Sequence, residues 1–195
     1  MNSSFLAYIQ KLEAMAFFSG YALVYTVVLF ILGNRWLKGK LSDRIISFLP
    51  ISYALIGILF LGFQVKKLYP DYSFEHIQFT IQQPFLIVWG LLPITFLAPV
   101  FYKRPVFSLL HSCLFFYFVA SDLFFQAITP SADNNIIKND MRVLAASIIL
   151  NIAIPGLITM LFLAFNYLKK HKPVIVKKLG YSSIILSLFN SKSHK

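Results

Sequence analysis

Two ionisable side chains lie deep inside one of the most apolar stretches of the chain. His111 and Asp122 fall within residues 105–128, where Phe and Leu dominate. They are 11 residues apart, about three full helical turns, so on a helix they share a face and sit roughly 16 Å apart along its axis. Ser108 and Gln126 extend the same stripe, with Phe115 and Phe118 between them. An acid in hydrocarbon costs several kcal/mol unless it is paired or protonated, so Asp122 has to face protein or water.

Two chemistries fit such a helix. One is a proton or ion path lined by Asp122, His111 and Asn151. The other is a lock, in which polar side chains hold neighbouring helices together. A proton relay needs several ionisable groups along a path, and the other apolar stretches offer none at depth, so the lock is the expected role. The stretch that follows carries Ser147 and Asn151 at similar depth, with Arg142 at its mouth. We expect Asp122 to hydrogen-bond to that group. Ser147, Asn151, Pro155 and Thr159 recur every four residues, a stripe suited to close helix packing around a kink at Pro155, or else to lining a small cavity.

Other reactive groups are sparse. Asp71, Glu75 and His76 share one loop and are the only basis for a lipid-acting enzyme. Cys113 is the single cysteine and reads as a small buried hydrophobe. The chain has no HExxH, no phosphate loop and no serine or cysteine triad, so no catalytic residue, cofactor or metal is expected.

The elements that must position these residues are long and apolar. Stretches at about 17–33, 45–63, 84–101, 105–128 and 143–168 are each near the length that crosses a bilayer as helix. The expected fold is an all-α membrane protein, a polytopic helical bundle of five transmembrane helices, with four as the alternative. Residues 1–168 form one membrane domain, and 169–195 form a basic tail with a short interfacial segment.

The net charge of +11 is not spread evenly. Loop 34–44 nets +3, loop 102–104 nets +2 and the tail nets +7, whereas the N-terminus, loop 64–83 and loop 129–142 each net zero. Lys and Arg in short loops stay cytoplasmic, so five spans put the N-terminus outside and the C-terminus in the cytoplasm. Basic residues gathered at one membrane face argue against nucleic acid as a direct partner. Lys169, Lys170, Lys172, Lys177 and Lys178 suit the anionic inner leaflet or a protein partner instead.

Smaller signals fill in the path. Phe5, Leu6, Ile9, Leu12 and Met15 recur at helical spacing, an amphipathic helix on the surface or leading straight into the first span. Tyr-Pro-Asp at 69–71 marks a turn, and Ser73 can cap a short helix through about Gln82. Pro84, Pro93 and Pro99 punctuate the third stretch, with Pro93 expected as a kink or hinge.

The function expected from this pattern is a non-enzymatic integral membrane subunit that forms a homo-oligomer or recruits a cytosolic or membrane protein. A small oligomeric ion or proton channel is the alternative, and a lipid-acting membrane enzyme ranks third. Phe, Tyr, Ile, Asn and Lys are abundant, and in that composition the chain is similar to membrane subunits of bacterial phage-defence modules. The likeness implies the bacterial cytoplasmic (inner) membrane and a role in sensing at the envelope.

Overall fold

The computed structural model describes residues 3–33, 40–102, 104–129 and 134–171. Among them every regular element is helical. The order is α1 (Ser3–Gly33), α2 (Lys40–Leu68), α3 (Phe74–Thr80), α4 (Pro84–Leu91), a 3-10 segment (Leu92–Leu97), α5 (Pro99–Tyr102), α6 (Pro105–Ile128) and α7 (Asn134–His171). The chain divides into two compact units, Met1–Pro155 and Gly156–Lys195.

Four helices are long and apolar enough to cross a membrane: Ser4–Ile31, Ile45–Leu68, Pro105–Ile128 and Lys138–Lys169. This is the composition of an integral membrane helical protein. The third expected stretch, 84–101, is not one straight helix. It breaks into α4, the 3-10 segment and α5, and each piece begins with a proline in its first turn. Proline fits there because the first N–H groups of a helix lack an internal partner, whereas in mid-helix it deletes a hydrogen bond. Residues 84–97 lie at 91° to α3, and a fifth span exists only if that bent pair counts as one. Pro93 therefore marks the change from α to 3-10 geometry and does not kink a continuous helix. Pro155 does lie inside a helix, α7.

The first apolar stretch begins earlier than residue 17. α1 runs unbroken from Ser3, and its polar residues Gln10, Lys11 and Glu13 each find a partner within the first unit. Pairing lets polar residues continue a helix that, left unsatisfied, would have to stop or surface.

In the first unit α1 is central. It runs antiparallel to α6, with Lys11 meeting Asp122, Phe18 meeting Phe115 and Tyr21 meeting Ser108. It also runs antiparallel to α2, with Glu13 meeting Lys67, Phe17 meeting Phe63 and Tyr21 meeting Tyr53. The core is aromatic. Phe18 is fully buried and packs edge-on against Phe60 (5.2 Å, 66°) and Tyr53 (5.7 Å, 73°). Such pairs contribute about 0.5–1.5 kcal/mol beyond their buried area, which matters where lipid removes the hydrophobic drive between helices.

α3 starts where Ser73 Oγ accepts the His76 N–H at 3.3 Å. It stops at Thr80, two residues before the expected end. Gln10 Oε1 accepts the N–H groups of Gln82 (3.0 Å) and Gln83 (2.8 Å), while Gln10 Nε2 donates to the Thr80 carbonyl at 2.6 Å. A single buried side chain thus satisfies the turn between α3 and α4.

In the second unit the described residues, Gly156 onward, continue α7. Leu157, Met160, Leu161, Leu163, Tyr167 and Leu168 are exposed, and nothing lies within 4 Å of a Cβ built on Gly156.

Candidate functional site

Three polar centres tie helices of the first unit together. At one end, where the Ser3 end of α1 meets the Leu68 end of α2 and the Ile128 end of α6, Lys11 Nζ lies 2.8 and 2.6 Å from the two carboxylate oxygens of Asp122. The ammonium also lies 5.6 Å from the Phe118 ring centre. Both side chains are about a quarter exposed. Lys67 and Glu13 make a second such pair at 2.7 Å. A bidentate pair offsets much of the desolvation that either charge would suffer alone, and removing one partner strands the other.

Asp122 does not meet Ser147, Asn151 or Arg142, which corrects the sequence expectation. Lys11 takes the carboxylate because α1 packs against α6 along its length. Arg142 is exposed, and Gln126, one turn beyond Asp122, instead donates to Asp140 Oδ2 at 2.7 Å. Asp140 is fully buried, and Tyr8 O–H donates to its Oδ1 at 3.4 Å.

The second centre joins α1 to α7. Ser147 and Asn151 come together as the four-residue spacing requires, and both are fully buried. Gly20 N–H donates to Ser147 Oγ at 2.8 Å, and Asn151 Nδ2 donates to the Phe17 carbonyl at 2.9 Å. Side chains of one helix bond directly to backbone of the other. This demands an unusually close approach, and glycine supplies it. A Cβ on Gly20 would lie 2.5 Å from Ile148 N and 2.6 Å from Ser147 C, both backbone atoms.

The third centre is His111. Its Nε2 lies 2.9 Å from the Trp89 carbonyl, and its Nδ1 lies 2.8 Å from Tyr53 Oη. A carbonyl only accepts, so Nε2 carries the proton and Nδ1 accepts from the Tyr53 hydroxyl. Trp89 is four residues before Pro93, the residue that would have donated to its carbonyl in a continuous α-helix. The Trp89 carbonyl accepts the Leu92 N–H at the end of α4, and His111 adds a second donor where Pro93 has no N–H to offer; its ring stacks on Trp89 at 5.0 Å and 8°. Nearby, Ser108 Oγ donates to the Pro105 carbonyl (2.7 Å), which leaves it to accept the Tyr21 hydroxyl (2.9 Å).

The predicted residues thus fall into separate places: Asp122 with Lys11, Gln126 with Asp140, Ser147 with Asn151, and His111 with Tyr53 and Trp89. Lys11, Asp140, Gly20, Tyr53 and the Trp89 carbonyl were missed. Lys11 reads as part of the polar side of the N-terminal amphipathic helix, balanced by Glu13, and Asp140 as a loop charge balanced by its basic neighbours. The one available signal was Pro93, which withholds the α-helical donor from the Trp89 carbonyl. Cys113 is exposed, on the outward side of α6, and is not a buried hydrophobe. His111, Ser112 and Phe115 take the inward positions. Asp71 accepts the Ser73 N–H and hydroxyl, both at 2.9 Å. The Ser73 bonds, the backbone one foremost, hold the Asp71 carboxyl below its usual range. Lys169 is exposed and Lys170 lies in α7. Lys172, Lys177 and Lys178 lie outside the described residues.

An apolar groove of about 470 Å³ opens between the 3-10 segment, α5 and α6, lined by Trp89, Phe96, Phe101, Phe107, Leu110 and His111.

Comparison with known proteins gives no match: no family model, no curated protein and no solved structure is similar to this chain.

Proposed function

We propose that this chain is a non-enzymatic integral membrane subunit that acts by holding another chain, either a second copy or a partner protein. One observation carries the reading. Among the described residues, carboxylates, lysines and the histidine of the first unit join one helix to another: Asp122 to Lys11, Glu13 to Lys67, Asp140 to Tyr8 and Gln126, and His111 to Tyr53 and the Trp89 carbonyl. Groups that carry ions or protons line a shared path, whereas here these carboxylates are held in bonds near the Ser3 end of α1 and His111 lies about three helical turns away along α6, bonded to Tyr53 and the Trp89 carbonyl.

The surfaces that remain are apolar or basic. The described part of the second unit exposes large apolar side chains along α7, and the sequence beyond it is rich in lysine. Small and apolar residues on one helix suit packing against another membrane helix. Lysines next to a span suit an anionic leaflet or an acidic partner. The basic loops favour a cytoplasmic C-terminus and an outside N-terminus across five spans, in a bacterial inner membrane. A sensor at the envelope, as in defence modules, is the narrower form of the proposal and rests on composition alone.

The test is flux. Purified protein in liposomes should pass no protons or monovalent ions above protein-free vesicles. The Asp122→Asn variant should lose abundance or stability while conductance stays at background. Ion flux in the wild type that Asp122→Asn alters without loss of assembly would replace this proposal with the channel reading.

A further inference from the structure

The groove between the 3-10 segment and α6 is walled by aromatic rings. Trp89 stacked on His111 lies beside Phe96, Phe101, Phe107 and Leu110. Phe101, Phe107 and Leu110 are each more than two-fifths exposed, so the walls are open to whatever surrounds the helices. Both His111 nitrogens are already bonded, so the floor offers an occupant apolar contact and no free imidazole. The volume is within the range of sites that hold small apolar ligands, roughly 300–1,000 Å³.

Among the described residues, one charged residue adjoins the groove wall in the chain. Arg104 lies between two residues of the groove wall and is tied to both through its backbone. Its N–H donates to the Phe101 carbonyl at 3.0 Å, and its carbonyl accepts the Phe107 N–H at 3.1 Å. The side chain is exposed and makes no ion pair with any described residue. It sits at the start of α6, a helix long and apolar enough to cross a membrane, and the end of such a helix is where a lipid headgroup would be found. An apolar groove whose wall residues flank an arginine with no ion pair among the described residues is complementary to a molecule with a hydrocarbon chain and an anionic head. Guanidinium matches phosphate oxygens in a two-pronged hydrogen bond.

We propose that this groove is a binding site for an anionic phospholipid, with one acyl chain along Trp89, Phe96, Phe101 and Phe107 and the phosphate held by Arg104. The site stands on membrane residence and needs no assumption about the subunit's partner.

Trp89 reports on its own occupancy. The chain has two tryptophans, so Trp36→Phe leaves Trp89 as the only indole. The full-length variant is reconstituted in phosphatidylcholine vesicles containing equal fractions of chain-brominated phosphatidylglycerol or chain-brominated phosphatidylcholine. Bromine quenches indole on contact. Phosphatidylglycerol should occupy the site roughly fivefold more tightly, the order expected for one basic residue at an anionic headgroup. Arg104→Gln should erase the preference and Arg104→Lys should keep most of it. With Arg104 unsubstituted, high salt should weaken the preference, a reading that does not depend on whether the Gln variant folds. Equal quenching by the two lipids, or a preference that survives Arg104→Gln, would overturn the proposal.

Discussion

Replacing Gly20 with alanine should pry α1 from α7, and the size of the effect follows from distances. The added Cβ would stand 2.5 Å from Ile148 N, 2.6 Å from Ser147 C and 2.8 Å from Ile148 Cα. Carbon contacts settle near 3.5–4.0 Å, so the two backbones must part by about 1 Å. That shift would stretch the Gly20–Ser147 bond from 2.8 Å beyond hydrogen-bonding range and would loosen the Asn151 bond to the Phe17 carbonyl. Overpacking costs about 1–3 kcal/mol. The two interhelical bonds contribute about 0.6 kcal/mol each in a membrane setting. Alanine's better helix propensity returns up to about 1 kcal/mol, for a net loss of about 1–3 kcal/mol. Gly62 supplies the control, because a Cβ there meets nothing within 4 Å. Gly62→Ala should be neutral or slightly stabilising. The assay is reversible unfolding by SDS in bicelles, followed by circular dichroism. A Gly20→Ala protein as stable as Gly62→Ala would refute the close α1–α7 contact and the lock built on it.

Three further outcomes are expected. Lys11→Met and Asp122→Asn should each destabilise by about 2–3 kcal/mol, since each strands a charge or a polar group, while the double variant should recover most of the loss. Strict additivity in the same SDS assay would show that the two do not act as a pair. His111→Phe should cost about 1–3 kcal/mol by removing one of the two donors to the Trp89 carbonyl and the acceptor of the buried Tyr53 hydroxyl. Pro93→Ala, which restores a backbone N–H, should reduce that cost, and an undiminished penalty would mean that His111 has another role. Asp71 titrates below its usual range in the folded chain, so its bonds to Ser73 hold fully above about pH 3.9, the unfolded value. They are lost as pH falls through the lowered folded value. Hydrogen exchange at the start of α3, corrected for intrinsic rate, should therefore quicken below that pH and stay unchanged from pH 5 to 8. A change within that upper window would point to His76 instead.

How much of this was legible beforehand depends on the reach of each interaction. The apolar runs announce helices because a bilayer-spanning backbone has no other way to pair itself. Ser147 and Asn151 were found together because both lie on one helix, where spacing fixes the face. Asp122 was assigned to the sequence-adjacent helix, yet its partner Lys11 is 111 positions away. Helical periodicity says which residues share a face but not which helix that face meets. Gly20 gave no signal for the same reason: its meaning lies in the backbone of α7. The broken third stretch was half legible. Three prolines announced interruptions, but the turn before it depends on Gln10, a residue 70 or more positions earlier. Lys11, on the polar side of an amphipathic helix, and Asp140, in a loop, were each counted as solvated and balanced by a neighbour, although another helix has taken each up.

The most direct test of the central claim is the mass of the intact complex. The full chain is released from membranes in a gentle detergent and weighed by native mass spectrometry, beside a variant lacking residues 172–195. The account predicts a wild-type species heavier than one 22.3 kDa chain by a whole-number stoichiometry of a second copy or of one defined partner. Removal of the tail should weaken a partner complex and leave a self-complex formed by α7 in place. A chain that is monomeric and alone from its native membrane, in both forms, would contradict the claim that it works by holding another.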